Sequence, residues 1–196
     1  INSLGYPVLI SNYFEYFRLS SYFRRYTDRT IGIVMGINNL VEIFKDKYYD
    51  GLEGGILEAF GRLFKNKIKL YVYPMKGSSF DEYRRLMESE SSGQVFEKHA
   101  LGGSNNVIIT ANNVQVELHL RSLYAYLLEN HFIEPITQFN QACMEIFSRD
   151  VFHKIKVGDP SWEALVPEPV AHIIRSRNLW GYRGENFSPP GSQSVA

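Results

Sequence analysis

A chain of 196 residues, 44% hydrophobic and 14% aromatic, can bury a sizeable core and lies far from the composition of a disordered segment. Twenty-one basic residues balance twenty-one acidic ones, so net charge offers no whole-molecule argument for nucleic acid or a membrane surface. A single cysteine, Cys143, excludes an internal disulfide and fits a reducing, cytoplasmic setting, and no stretch approaches the ~18–20 apolar residues of a membrane helix.

The opening Ile1-Asn2-Ser3 has neither methionine nor a basic leader, which reads as a piece of a longer protein without a signal peptide. Pro7-Val8-Leu9-Ile10, between Gly5 and Ser11-Asn12, predicts a buried strand. A helix is expected over 13–26, with Tyr16, Leu19, Phe23 and Tyr26 on its buried side. Ile31-Gly32-Ile33-Val34-Met35 predicts a second strand, apolar on both faces as buried parallel strands are. It ends at Gly36, after which Asn38 or Asn39 would cap a helix through Phe44. Gly54-Gly55 opens a further helix to Phe64 whose buried stripe is Ile56, Leu57, Phe60, Leu63 and Phe64, and Lys69 to Tyr73 is a third strand closed by Pro74. Strand, helix, strand, helices and strand within about seventy residues is the pattern of βαβ units on a parallel sheet.

Residues 76–106 contain Gly77-Ser78-Ser79, Ser89 to Gly93 and Gly102-Gly103-Ser104-Asn105-Asn106, and read as an exposed, loop-rich insertion with a short helix near Phe80 to Met87. Val107 to Thr110 reads as an edge strand before a turn at Asn112-Asn113. From Val116 the period becomes helical: a helix to about Asn130, another over Glu134 to Phe147 with Pro135 in its first turn, and a third from Ser148 to Val157, stopped at Gly158-Asp159-Pro160. Shorter helical pieces follow at Trp162 to Val166 and Pro169 to Arg177. The expected organisation is therefore an α/β half over 1–75, the insertion over 76–106, a mainly helical part of the same domain over 107–183, and a disordered tail over 184–196. The fold class is α/β, a small Rossmann-like parallel sheet of three to four strands flanked by helices, with a helical C-terminal region.

In such a sheet a ligand sits beyond the C-terminal strand ends, at a switch in strand order. Those ends point to Asn12, to Gly36, Asn38 and Asn39 leading into a helix N-terminus, and to Arg18 as the arginine nearest the first strand end. Gly54 and Gly55 expose a second helix N-terminus. Against each stands a plainer reading, in which the glycines permit turns, the asparagines cap, and Arg18 lies on a solvated helix face beside Glu15. Glu58 and Arg62 form an i,i+4 pair typical of helix support. Neither GxGxxG nor a Walker motif occurs, the five histidines do not cluster at metal-ligand spacing, and Cys143 on an apolar helical stripe reads as a buried, inert thiol.

Several segments carry a family likeness: Gly36-Ile37-Asn38-Asn39-Leu40 through Glu42-Ile43-Phe44, Lys47-Tyr48-Tyr49, Glu53 through Phe64, and Lys69-Leu70-Tyr71-Val72-Tyr73-Pro74. Leu123 through Asn130 with Ile133-Glu134, and Gly158-Asp159-Pro160-Ser161-Trp162-Glu163, carry it further. Together they resemble the C-terminal part of a family of longer bacterial proteins often labelled nicotinate-nucleotide adenylyltransferases. The resemblance covers most of the chain outside the insertion and tail, and implies a transferase-like, nucleotide-handling role in NAD biosynthesis. The HxGH and ISSTxxR elements with which adenylyltransferases hold triphosphate do not occur; Ile10-Ser11-Asn12 followed by Arg18 is a distant echo of the second. No catalytic residue carries over, and no cofactor is implied.

Two functions compete. The first is a domain that handles a nucleotide or phosphorylated small molecule at Asn12, Arg18 and the Gly36 loop. The second is a non-catalytic regulatory or oligomerisation domain, packed on a missing N-terminal region or on a second copy. Nucleic-acid binding through Arg24, Arg25 and Arg29 ranks last, because nearby acids offset them.

Overall fold

The computed structural model describes residues 2, 5–13, 15–65, 67–90 and 107–182, with backbone alone at 86–90. They fall into two compact units: Asn12–Glu145, and Ile146–Ala196 taken with Ile1–Ser11. The fold is mixed α/β, with a parallel three-stranded sheet flanked by helices and a helical C-terminal region.

In the first unit, α1 (Tyr16–Phe23) precedes β1 (Ile31–Gly36), α2 (Ile37–Ile43), a 3-10 turn at Asp46–Tyr48, α3 (Gly55–Phe64) and β2 (Ile68–Tyr73). A two-residue β3 (Met75–Lys76) leads into α4 (Gly77–Glu90); β4 (Ile108–Ile109), α5 (Arg121–Glu129) and β5 (Ile133–Pro135) complete it, with a last 3-10 turn at Gln141–Glu145. β1 pairs with β2 and β2 with β5, both in parallel. The register sets Ile31, Ile33 and Met35 beside Ile68, Leu70 and Val72, with Ile133 opposite Leu70. Because side chains alternate, these residues share one face. That face is the core: Leu70 and Val72 are fully buried. Edge-on ring contacts of Phe44 with Phe60 and Tyr124, and of Phe60 with Phe64, tie α2, α3 and α5 together in the same unit.

Several expectations need correction. Pro7-Val8-Leu9-Ile10 joins no sheet among the described residues, and Ile10 is 93% exposed; apolar composition alone does not select a pairing partner. The third strand is instead β5, where a helix over Glu134–Phe147 was expected. Helix α5 closes with Phe132 N–H bonded to the Leu127 carbonyl and His131 N–H to that of Leu128, with His131 left-handed at φ 58°. That 6→1, 5→2 pattern is a Schellman turn, and it directs the chain straight into a strand. Pro135 is tolerated because β5 is an edge. Cys143 is consequently exposed rather than buried.

Strand β1 is also an edge, and it is not covered on both faces: Val34 is 69% exposed. Neither Asn38 nor Asn39 caps α2; both lie inside it, and Gly36 is the N-cap. On α1 the buried residues are Phe17 and Ser20, while Tyr26 is exposed, as is Leu57 on α3. Phe17 is the buried ring on the helix that packs against α3. Gly77-Ser78-Ser79 begins α4 instead of a loop, anchored by buried Phe80. β4 exists but pairs antiparallel with β3, apart from the main sheet. The rest of the insertion, 91–106, and the tail from 184 lie outside the described residues.

The second unit holds α6 (Ser148–Val157), a 3-10 turn at Pro160–Leu165, α7 (Glu168–Ser176) and a 3-10 turn at Leu179–Gly181. Gly158 supplies the positive φ of 77° that ends α6 in a second Schellman turn, with Asp159 N–H bonded to the Lys154 carbonyl. Asp159 then caps the next turn through the Ser161 N–H at 2.9 Å. Lys154 at 2.8 Å, with that N–H, pulls its carboxyl down to about 2. Trp162 is buried against Val151, Ile155, Ala171 and Ile174 as the core.

Candidate functional site

The strand order β1-β2-β5 follows the chain in one direction. Among the described strands there is accordingly no reversal, and the crevice that a switch point would open does not form there. Asn12 is exposed, outside any helix or strand, ahead of α1. Arg18 is exposed and paired with Glu15 at 3.3 Å. Gly36 and Asn38 do come together: a side-chain carbon on Gly36 would lie 2.7 Å from Asn38 Oδ1. Asn39 is exposed on the next position of α2. Gly54 and Gly55 open α3, but its N-terminus already holds an anion of its own. The Glu58 carboxylate accepts the Gly54 N–H at 2.9 Å and pairs with Arg62 at 2.5 Å. A phosphate arriving there would have to displace it.

A cleft of the first unit lies elsewhere. It encloses about 340 Å³ among α1, α2, the 46–48 turn and α3, at the lower end of the range for small-molecule sites. Its apolar walls are Phe17, Ile43, Ala59, Phe60 and Leu63, with the rings of Tyr16, Tyr48 and Tyr49 beside them. The charged lining residues are two carboxylates, Glu15 and Glu42, and none of the residues picked out from sequence is part of it.

Each wall follows from local sequence. The Ile56-Ala59-Phe60-Leu63 spacing puts one face of α3 inward. Helix α2 stops at Ile43, and the chain doubles back through the 46–48 turn, so Tyr48 and Tyr49 return to the helix they just left. Tyr49 donates its hydroxyl to the Ile43 carbonyl at 2.7 Å, and burial, then Tyr48 and Asp46, push its phenol up to about 12.

Glu42 is the hub of polar contacts. Its Oε1 accepts Lys45 Nζ and the Tyr83 hydroxyl, both at 2.5 Å, and its Oε2 accepts the Tyr48 hydroxyl at 2.7 Å. Burial pushes this carboxyl up, but the bonds from Lys45, Tyr83 and Tyr48 outweigh it and hold it below the usual value of 4.5. The carboxylate raises its partners in turn. Tyr48 moves to about 12, through Glu42 first and burial second, and Tyr83 rises through burial first and Glu42 second. At neutral pH Glu42 is therefore an anion and both phenols are donors. A carboxylate offers about four lone-pair sites; the described residues fill three, two on Oε1 and one on Oε2.

Sequence reasoning missed Glu42, Tyr48 and Tyr83 as a group. The i,i+3 spacing of Glu42 and Lys45 was legible; the 41-residue separation of Glu42 and Tyr83 left no local trace. Compared with known proteins, the chain is matched by no family model, no curated protein and no solved structure.

Proposed function

We propose that the Asn12–Glu145 unit binds a small organic amine in the α1–α2–α3 cleft, its ring or branched aliphatic body between the aromatic walls and its N–H on Glu42. The observation that carries this reading is an ionised carboxylate, with three donors on it among the described residues, lining a cavity that is apolar and aromatic apart from it and Glu15. Aromatic faces attract cations, and an amine leaves no buried acceptor unpaired. A phosphate or carboxylate ligand would face Glu15 and Glu42 without a basic side chain in the lining.

The nucleotide-handling reading has a place in this frame through the base alone, with an amino group on Glu42 and the phosphate outside. Thermal unfolding with phenethylammonium, phenylacetate, adenosine and adenosine monophosphate separates these cases. A ligand at 100-fold over Kd adds ~2.7 kcal/mol, which is a rise on the order of 5–10 °C for a chain of this size. Phenethylammonium gives that rise and phenylacetate gives none. Equal rises with the two, or a rise confined to the phosphate-bearing nucleotide, would overturn the proposal.

A further inference from the structure

The two edges of the sheet are not built alike. The β5 edge is three residues long, carries Glu134 and ends in Pro135, which has no N–H to offer. Short length, charge and proline are the means by which proteins keep sheet edges from pairing. The β1 edge has none of them. Ile31-Gly32-Ile33-Val34-Met35-Gly36 is six residues, uncharged and free of proline.

Its backbone alternation is known from one bond. The Ile31 N–H donates to the Lys67 carbonyl, so Ile31 and Ile33 turn their backbone groups toward β2. Gly32 and Val34 then turn theirs outward, and both residues are exposed. We propose that β1 is the pairing edge of a homodimer, in which two copies join antiparallel through Ile31–Gly36 about a two-fold axis at Ile33, linking two three-stranded sheets into one of six strands.

The second copy is the occupant because this edge is complementary to itself. With the axis at Ile33, Gly32 faces the second copy's Val34, and Val34 faces the second copy's Gly32. Those are the outward-turned residues, so each facing pair exchanges two N–H···O bonds and the four donors are satisfied together. The side chains fit the same register. Val34 projects from the open face at 69% exposure, and the second copy presents a glycine opposite it. Over that glycine lies the Tyr71 ring, 2.9 Å from where a side-chain carbon would stand, which gives the incoming Val34 an apolar surface. On the opposite face Ile31 and Ile33, only half-buried at an edge unpaired among the described residues, gain cover from Met35 and Ile33 of the second copy.

A six-residue edge is small beside the roughly 1,200–2,000 Å² of a stable interface, so the dimer is a weak one that depends on concentration. Sedimentation of the full chain from about 10 μM to 1 mM is expected to show a reversible monomer–dimer equilibrium. V34K, at an exposed position, shifts it at least tenfold toward monomer with unfolding temperature unchanged, and V34I keeps it. Hydrogen exchange supplies the second readout: the Gly32 and Val34 amides become protected in the dimer range and exchange freely when dilute. A wild-type chain that stays monomeric throughout overturns the proposal. So does a dimer indifferent to V34K, or one whose Gly32 and Val34 amides stay unprotected.

Discussion

On one face of the parallel sheet, Ile68, Leu70 and Val72 are at most 1% exposed; on the other, Val34 of the adjoining strand is 69% exposed and Gly32 is open beside it. The covered face carries Ile31, Ile33, Met35 and Ile133 as well, and helices α2, α3 and α5 close over it with their aromatic rings. The open face carries the Lys69–Glu134 pair, Tyr71, and Tyr73, whose hydroxyl donates to the Asn140 carbonyl at 3.1 Å. Parallel sheets usually bury both faces. Among the described residues, burial is concentrated on one face and one helix layer, and the β1 edge pairs with no further strand.

Substitutions can break that contrast. Leu70→Ala, at a fully buried position, is expected to cost ~2–5 kcal/mol in chemical denaturation. Phe60→Ala tests the layer that also walls the cleft and should cost ~3–5 kcal/mol, while abolishing any ligand-induced rise in unfolding temperature. A loss under about 1 kcal/mol at either site would mean that the covered face is not the main source of stability.

The Glu42 cluster comes next in size. Glu42→Ala leaves Lys45, Tyr48 and Tyr83 without their acceptor and should cost about 1–3 kcal/mol. Its pH dependence follows from the directions of the shifts. The Glu42 carboxyl is depressed below 4.5, so its stabilisation is present above that value and fades as pH falls through the lowered one. The Tyr48 phenol is raised from 10 to about 12, so its contribution is complete below pH 10 and is lost as pH climbs through about 12. Unfolding temperature measured against pH should lose part of its acid limb in Glu42→Gln; an unchanged acid limb would show that the cluster contributes nothing there.

Smallest in folding energy is Val34→Lys, expected within about 0.5 kcal/mol of wild type because the site is exposed. A large loss there would erase the distinction between the two faces.

The parts of the fold written in sequence are those with local causes. Ile68-Lys69-Leu70-Tyr71-Val72-Tyr73 alternates as a strand with one buried face should, and the apolar spacing over 55–64 matches α3 apart from Leu57. What failed depended on partners distant in the chain. Pro7–Ile10 has the composition of a buried strand, yet composition does not say which strand, if any, it pairs with, and it joins no sheet among the described residues. β5 was hidden because Pro135 also suits a helix start and because His131 gave no glycine-like sign of the left-handed turn before it. The cleft escaped for the same reason, since Phe17, Glu42, Tyr49 and Phe60 belong to four separate elements.

The most direct test of the amine-binding cleft is an amide-resolved NMR titration of the full chain with phenethylammonium and then with adenosine monophosphate. The amine should move the amides of Phe17, Glu42, Tyr48, Tyr49 and Phe60 in a saturable way and leave those of Gly36, Asn38, Gly54 and Gly55 in place. Shifts appearing instead at those glycines and asparagine, and with the phosphate compound alone, would contradict the account.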